Sequence, residues 1–157
     1  MIEIIPEIEI ISRVSSLKSM SEEERKYFWI GDHFQWYEFF SGDKVYGAKS
    51  IEPPESMWAD AVEHILYMDR VREYCGWGVR YNSGYRTPIW NKVWKGAEDS
   101  RHMYCLAGDM FPLGRITIHK FAMIIALLTP LNQGGIYNGW SKWVHIGSVS
   151  NSTLYKW

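Results

Sequence analysis

Between Asn82 and Phe111 the chain reads NSGYRTPIWNKVWKGAEDSRHMYCLAGDMF, which sets a glycine turn, Arg86, Ser100, His102 and Asp109 within thirty residues. A histidine and an aspartate seven positions apart are too far for one helix turn but can meet if a loop feeds a strand. A third partner is available in KWVHIG, where His145 follows Trp143 by two. In a strand these two share one face, while Val144 and Ile146 face the other way, into a core. The same alternation along YCLAGDMF puts Cys105, Ala107 and Asp109 on one face. If the two strands are neighbours, Asp109 and His145 converge, and His102 reaches the same point from the preceding loop. Two imidazoles and one carboxylate form a common catalytic zinc set with an open fourth position, although ordinary hydrogen bonding also satisfies these residue types. His119, inside an apolar helical stretch, reads as a surface or core residue.

Such a site needs a scaffold, and the chain is long enough for one domain. Its 157 residues are 46% hydrophobic and 22% charged, which excludes wholesale disorder. Nine Trp and ten Tyr are too many rings for the core alone, so some are expected to line a cleft or interface. The net charge of −1 argues against a nucleic-acid partner. All eighteen acidic residues lie at or before Asp109, against thirteen Lys and Arg, and the remaining tail has four Lys and Arg and no acid. Cys75 and Cys105 are too few for a disulfide framework. No phosphate-cradling loop or nucleotide fingerprint is present.

The N-terminal MIEIIPEIEI lacks a basic region and an unbroken apolar run, so it does not read as a secretory signal, and FAMIIALLTPL is too short to span a membrane. No membrane partner is expected. Alternation of Ile with Glu around Pro6 predicts an extended arm, with a short helix opened by the Ser21–Glu24 capping box and stopped at Gly31. HFQWYEFFSGD predicts a short structured turn. Apolar spacing from Pro54 to Tyr74 predicts an amphipathic helix ended by Gly76, and Thr117 opens a second helix stopped by Pro130. WGVRYNS leads as a strand into Gly84. A turn at Gly134 and Gly135 and two aromatic strands, GIYNGW and KWVHIGS, complete an α+β domain with a small antiparallel sheet and flanking helices.

SGYRTP at 83–88, GAEDSRHMYCLAGD at 96–109 and WVHIG at 143–147 resemble, in order and spacing, the zinc D-alanyl-D-alanine carboxypeptidase and murein endopeptidase family, whose fold is shared by lysostaphin-type peptidases and the hedgehog signalling domain. The patterns are SGYRxP, SxHxxGxAxD, and W or F before VHID. The resemblance covers about residues 33–148, making 31–157 the peptidase-like domain and 1–30 an arm with a short helix. It implies one zinc on His102, Asp109 and His145. Arg86 would hold a substrate carbonyl oxygen or carboxylate, or else only pin the turn. Ser100 would hydrogen-bond substrate near the metal, or else only cap the turn. The implied activity is hydrolysis of a peptide bond in peptidoglycan stem peptides, in a protein made in the cytoplasm and acting on the cell wall after release or within a phage particle. The arm is a candidate contact to other virion subunits, by strand addition to a neighbouring sheet.

Three positions depart from the family. Carboxypeptidase members carry an acid three before the last histidine, where this chain has Lys142. Others carry Asp two after it, where this chain has Gly147. Glu98 and Asp99 are the nearest upstream candidates for the general base. Cys105 replaces a pattern glycine and reads as a buried filler, a steric intruder or an extra soft ligand. The alternative implied by these departures is a zinc-binding domain with impaired turnover that serves as a binding or structural module.

Overall fold

A computed structural model describes residues 4–40, 51–131, 133–138 and 142–147. Expected elements reaching residues 2–3, 41–43, 139–140 and 148 extend beyond those described. The architecture is α+β: β1 (Val79–Ser83), β2 (Ala107–Pro112), β3 (Gln133–Asn138) and β4 (Lys142–Gly147) form a four-stranded antiparallel sheet in the order β1-β2-β4-β3, with helices packed against it.

At its centre lies α3, Trp58–Cys75. Its Val62, Ile65, Met68 and Val71 are fully enclosed, so both the sheet side and the N-terminal side of the helix are covered. Gly76 ends it in the left-handed conformation, φ 68°, a backbone state that a residue with a Cβ resists. Two polar residues on the buried surface of α3 each have a task. Asp69 accepts backbone hydrogen bonds from Asp32 and His33, holding the loop that enters the domain. His64 reaches toward the sheet.

Residues 7–18 form a helix, α1 (Glu7–Lys18), where alternation predicts an extended arm. Pro6 takes the N-cap position with extended backbone, and Glu7 and Glu9 fall in the first turn, where the helix dipole favours acids. Burial of Leu17, with Ile10 and Val14 packed on the core, gives the segment a helical apolar face that outweighs the local Ile–Glu alternation. The capping box at Ser21 opens α2 (Glu22–Lys26) as expected, but the helix ends at Lys26, five residues before Gly31. Trp36–Phe39 makes a 3₁₀ turn that buries Trp36 and Phe39. The Trp36 indole donates to Glu52, whose carboxylate also holds Arg25 through two 2.8 Å contacts.

Between β1 and β2 lies α4 (Pro88–Val93), capped by Thr87, and between β2 and β3 lies α5 (Ile118–Leu128), capped by Thr117. Gly134 and Gly135, expected in a turn, lie within β3 opposite Ile146 and His145. One face of the sheet carries Tyr81, Met110, Val144 and Ile146 into the core against α3 and α5. The opposite face carries Asp109 and His145. Among the described residues no helix is long and apolar enough to cross a membrane.

Candidate metal centre

Three strand pairings set a single row of residues across the sheet. Ser83 is opposite Asp109, Asp109 opposite His145, and His145 opposite Gly135. A bulge between Tyr81 and Ser83 produces the first of these alignments. An extra residue re-aims the strand end, as bulges beside functional sites do. Gly135 leaves the edge side of His145 without a side chain.

His102 enters from a 3₁₀ turn, Arg101–Tyr104, which precedes β2. Its Nδ1 lies 2.7 Å from the carbonyl oxygen of Gly84. A carbonyl only accepts, so Nδ1 carries the proton and the lone pair of the neutral ring is on Nε2. Nε2 lies 3.2 Å from His145 Nδ1 and 3.4 Å from Asp109 Oδ1, and His145 Nδ1 lies 2.8 Å from that same oxygen. One atom from each of His102, Asp109 and His145 thus meets at a point. Burial alone would push the Asp109 carboxyl up, but the two imidazoles beside it hold it well below the usual carboxylate range.

This donor set fits a small four-coordinate cation. Ligands held about 2.0–2.2 Å from a tetrahedral ion stand about 3.3 Å apart, close to the three separations observed. The Gly84 carbonyl accepts the Nδ1–H of His102, the kind of outer hydrogen bond that would orient the imidazole toward a metal. Among the described residues, no further His, Cys, Asp or Glu joins the group.

Arg86 closes the other side of Asp109. Its Nη2 is 3.5 Å from Asp109 Oδ2 and donates to Ser83 Oγ at 3.1 Å, while Nη1 is 3.5 Å from Asn91 Oδ1. The Arg86 backbone N–H donates to the His102 carbonyl, tying the glycine turn to the 3₁₀ turn. Arg86 Nε is buried with no hydrogen-bond partner among the described residues. Ser100 occupies the N-cap position of the 3₁₀ turn, but its side chain makes no capping bond.

Glu98 and Asp99 occupy an exposed turn, and neither joins the His–Asp–His group. Lys142 is exposed at the start of β4, opposite Asn138. Strand alternation puts it on the side of Val144, away from His145. Gly147 is buried between Ala107 and Gln133, its partners in the ladder. His119 is exposed on α5.

Cys105, expected on the strand face of Asp109, precedes β2 and has φ 60°, so the glycine of the family pattern marks a left-handed position. The thiol is fully enclosed, and burial pushes its pKa far up, which keeps it protonated.

Several supporting residues escape a search for ligands. Ser83 and Asn91 position Arg86; Asn91 is also bound to the Ala97 carbonyl. His64 lies behind the sheet, with Nε2 3.4 Å from the Ile146 carbonyl and Nδ1 2.9 Å from the Tyr81 hydroxyl. The carbonyl accepts from Nε2, so Nδ1 accepts from Tyr81. A Cβ on Gly108 would stand 2.8 Å from His64 Cε1, so the strand between Ala107 and Asp109 must be bare at that point. A polar residue on the buried face of a central helix is the sequence signal that marks His64.

A search of curated proteins gives no significant match. A profile of the Peptidase M15 family matches residues 34–147, most of the chain and all of the row just described. The chain belongs to the Peptidase M15 family.

Proposed function

We propose that the chain is a zinc-dependent peptidase that hydrolyses a peptide bond in peptidoglycan stem peptides. The observation that carries this reading is the meeting of His102 Nε2, Asp109 Oδ1 and His145 Nδ1 beside a guanidinium that faces the second oxygen of Asp109. Two imidazoles and a carboxylate suit zinc by ligand type and number. When bound, zinc supplies Lewis-acid polarisation of a carbonyl and a water acidified enough to attack it near neutral pH.

The chain's own residues do the rest. The Gly84 carbonyl fixes the His102 ring, so its donor atom is presented without reorganisation. Arg86, largely buried and held by Ser83, offers its guanidinium to the oxygen of a scissile carbonyl or a terminal carboxylate. Charge that develops on that oxygen is stabilised by a donor already in place. The Ser100 hydroxyl, free of capping, is available to a substrate amide or carbonyl. A murein substrate places the action at the cell wall, after release from the producing cell or within a phage particle.

A second reading, a zinc-binding module with impaired turnover, is favoured by one observation. Asp109 is the single carboxylate in the group among the described residues, and in this reading it is taken up as a ligand. General acid–base help is worth about 100 to 10,000-fold, so its loss leaves metal binding with poor turnover. Because Lys142 projects to the other face, Lys142→Glu is expected not to restore a base.

The test is mass spectrometry of muropeptides after incubating the zinc-loaded protein with purified sacculi, beside His145→Ala. New fragments that need the intact triad support the peptidase. Unchanged muropeptides from a protein with stoichiometric zinc select the binding module, and failure to retain zinc rejects both.

A further inference from the structure

Two residues along from the metal row, the same face of the sheet carries a second row. Tyr137 is opposite Trp143 across β3 and β4, with the rings stacked at 4.5 Å between centroids and 8° between planes. The β2–β4 ladder ends at Met110 opposite Val144, and Phe111 and Trp143, each one residue beyond that pair, lie by alternation on the face of Asp109 and His145. Phe111 is in turn opposite Arg80, whose guanidinium lies over its ring at 4.9 Å. Arg80, Phe111, Trp143 and Tyr137 therefore cross all four strands in order. Phe111, Trp143 and Tyr137 are displaced from Asp109, His145 and Gly135 by one strand period, about 7 Å, and Arg80 lies three residues from Ser83 because of the bulge between Tyr81 and Ser83.

This row is not core. Tyr137 is 49% exposed, Arg80 is exposed, and Phe111 and Trp143 are half-buried, whereas Met110 and Val144 on the other face are fully enclosed. A cross-strand stack stabilises a hairpin wherever it is placed. Here it also presents an apolar ring surface on the same sheet face as the metal row, bounded by a cationic donor. Flat rings in half-wet surroundings suit a partner with one apolar face and a hydroxylated rim. A pyranose ring has this character: its axial C–H groups stack on aromatic faces, while its hydroxyl and acetamido groups accept hydrogen bonds from a donor such as Arg80.

We propose that this aromatic row is a saccharide subsite, which holds an N-acetylated sugar of the glycan strand while the attached stem peptide crosses the metal row. The inference rests on the peptidase reading above for the identity of the substrate, and it adds the glycan as a second recognised element. The peptide is attached to the sugar, so a saccharide site one strand period from the metal aligns the peptide and raises its local concentration.

The experiment uses the zinc-loaded full chain and two readouts. The first is calorimetric titration with the β-1,4-linked tetramer of N-acetylglucosamine. Tyr137→Thr, which keeps a strand-forming side chain, is expected to weaken binding about tenfold, and Tyr137→Phe to retain it. The second compares KM for a glycan-attached stem peptide with KM for the same peptide without sugar. Tyr137→Thr is expected to raise only the first, about tenfold. No saturable tetramer binding by the wild-type chain overturns the proposal, whatever the peptidase result. Equal KM changes on both substrates likewise overturn it, because they mark a purely structural role. Tetramer binding that is lost in Tyr137→Thr, in a chain that cleaves neither substrate, upholds the saccharide site while the peptidase reading falls.

Discussion

His102 presents Nε2 rather than Nδ1 to His145, because its Nδ1–H donates to the Gly84 carbonyl oxygen at 2.7 Å. Gly84 is itself fixed, since a Cβ there would stand 2.1 Å from the Phe39 carbonyl oxygen, which accepts the Tyr85 N–H. One glycine therefore ties the 3₁₀ turn at Trp36–Phe39 to the tautomer of a candidate metal ligand. Gly84→Ala is expected to destabilise the fold by about 1–3 kcal/mol through overpacking. It should also weaken zinc binding about 10 to 100-fold through the displaced outer hydrogen bond. Thermal unfolding and competitive chelator titration measure the two effects separately.

Arg86 touches Asp109 but contributes no ligand atom, so it should separate catalysis from metal binding. Arg86→Lys keeps the charge and loses the planar fork that reaches Ser83 and Asp109 together. Zinc stoichiometry is expected to stay near one, while kcat on a muropeptide falls about 100 to 1,000-fold, the usual cost of removing an oxyanion donor. A fall in zinc content parallel to activity would assign Arg86 to metal retention.

His64 is completely buried, and burial holds its pKa down to about 4 despite the bond to Ile146. In the unfolded chain an imidazole titrates near about 6.5. Between these values the unfolded state binds a proton that the folded state refuses, so stability is full above about pH 6.5 and falls as the pH drops toward 4. At about 1.36 kcal/mol per pH unit the group removes about 3 kcal/mol across that window. Urea unfolding of metal-free protein at several pH values should show this slope, and His64→Gln should flatten it.

Cys105 at φ 60° occupies a backbone position that favours glycine, and its enclosed thiol is kept protonated. Cys105→Gly removes a left-handed cost of about 1–2 kcal/mol and gives up the packing of one sulfur, so stability should change by less than about 1 kcal/mol. The cobalt-substituted wild-type protein should lack a thiolate-to-cobalt charge-transfer band. Such a band, abolished in Cys105→Gly, would make the thiol a ligand.

The helices and strands around the site were legible because their signals are local. The Ser21 capping box, the apolar period that Gly76 ends and the Thr117 cap each depend on a few neighbouring residues. The failures have physical causes too. Ile–Glu alternation around Pro6 carries a strand period, but packing of Leu17, Ile10 and Val14 on the core selects helix. Gly134 and Gly135 have turn composition, but ladder pairing with β4 keeps them extended.

The sequence by itself determined the family patterns, the ligand types and the α+β order, because each is carried by residue identity at fixed spacing. Only the tertiary structure decided that Asp109 is opposite His145, that His102 offers Nε2, and that Lys142 faces away from the metal row. Each of these depends on strand register and on a carbonyl contributed by a distant turn. A one-residue slip in register would exchange the two faces of the sheet and leave every residue type unchanged.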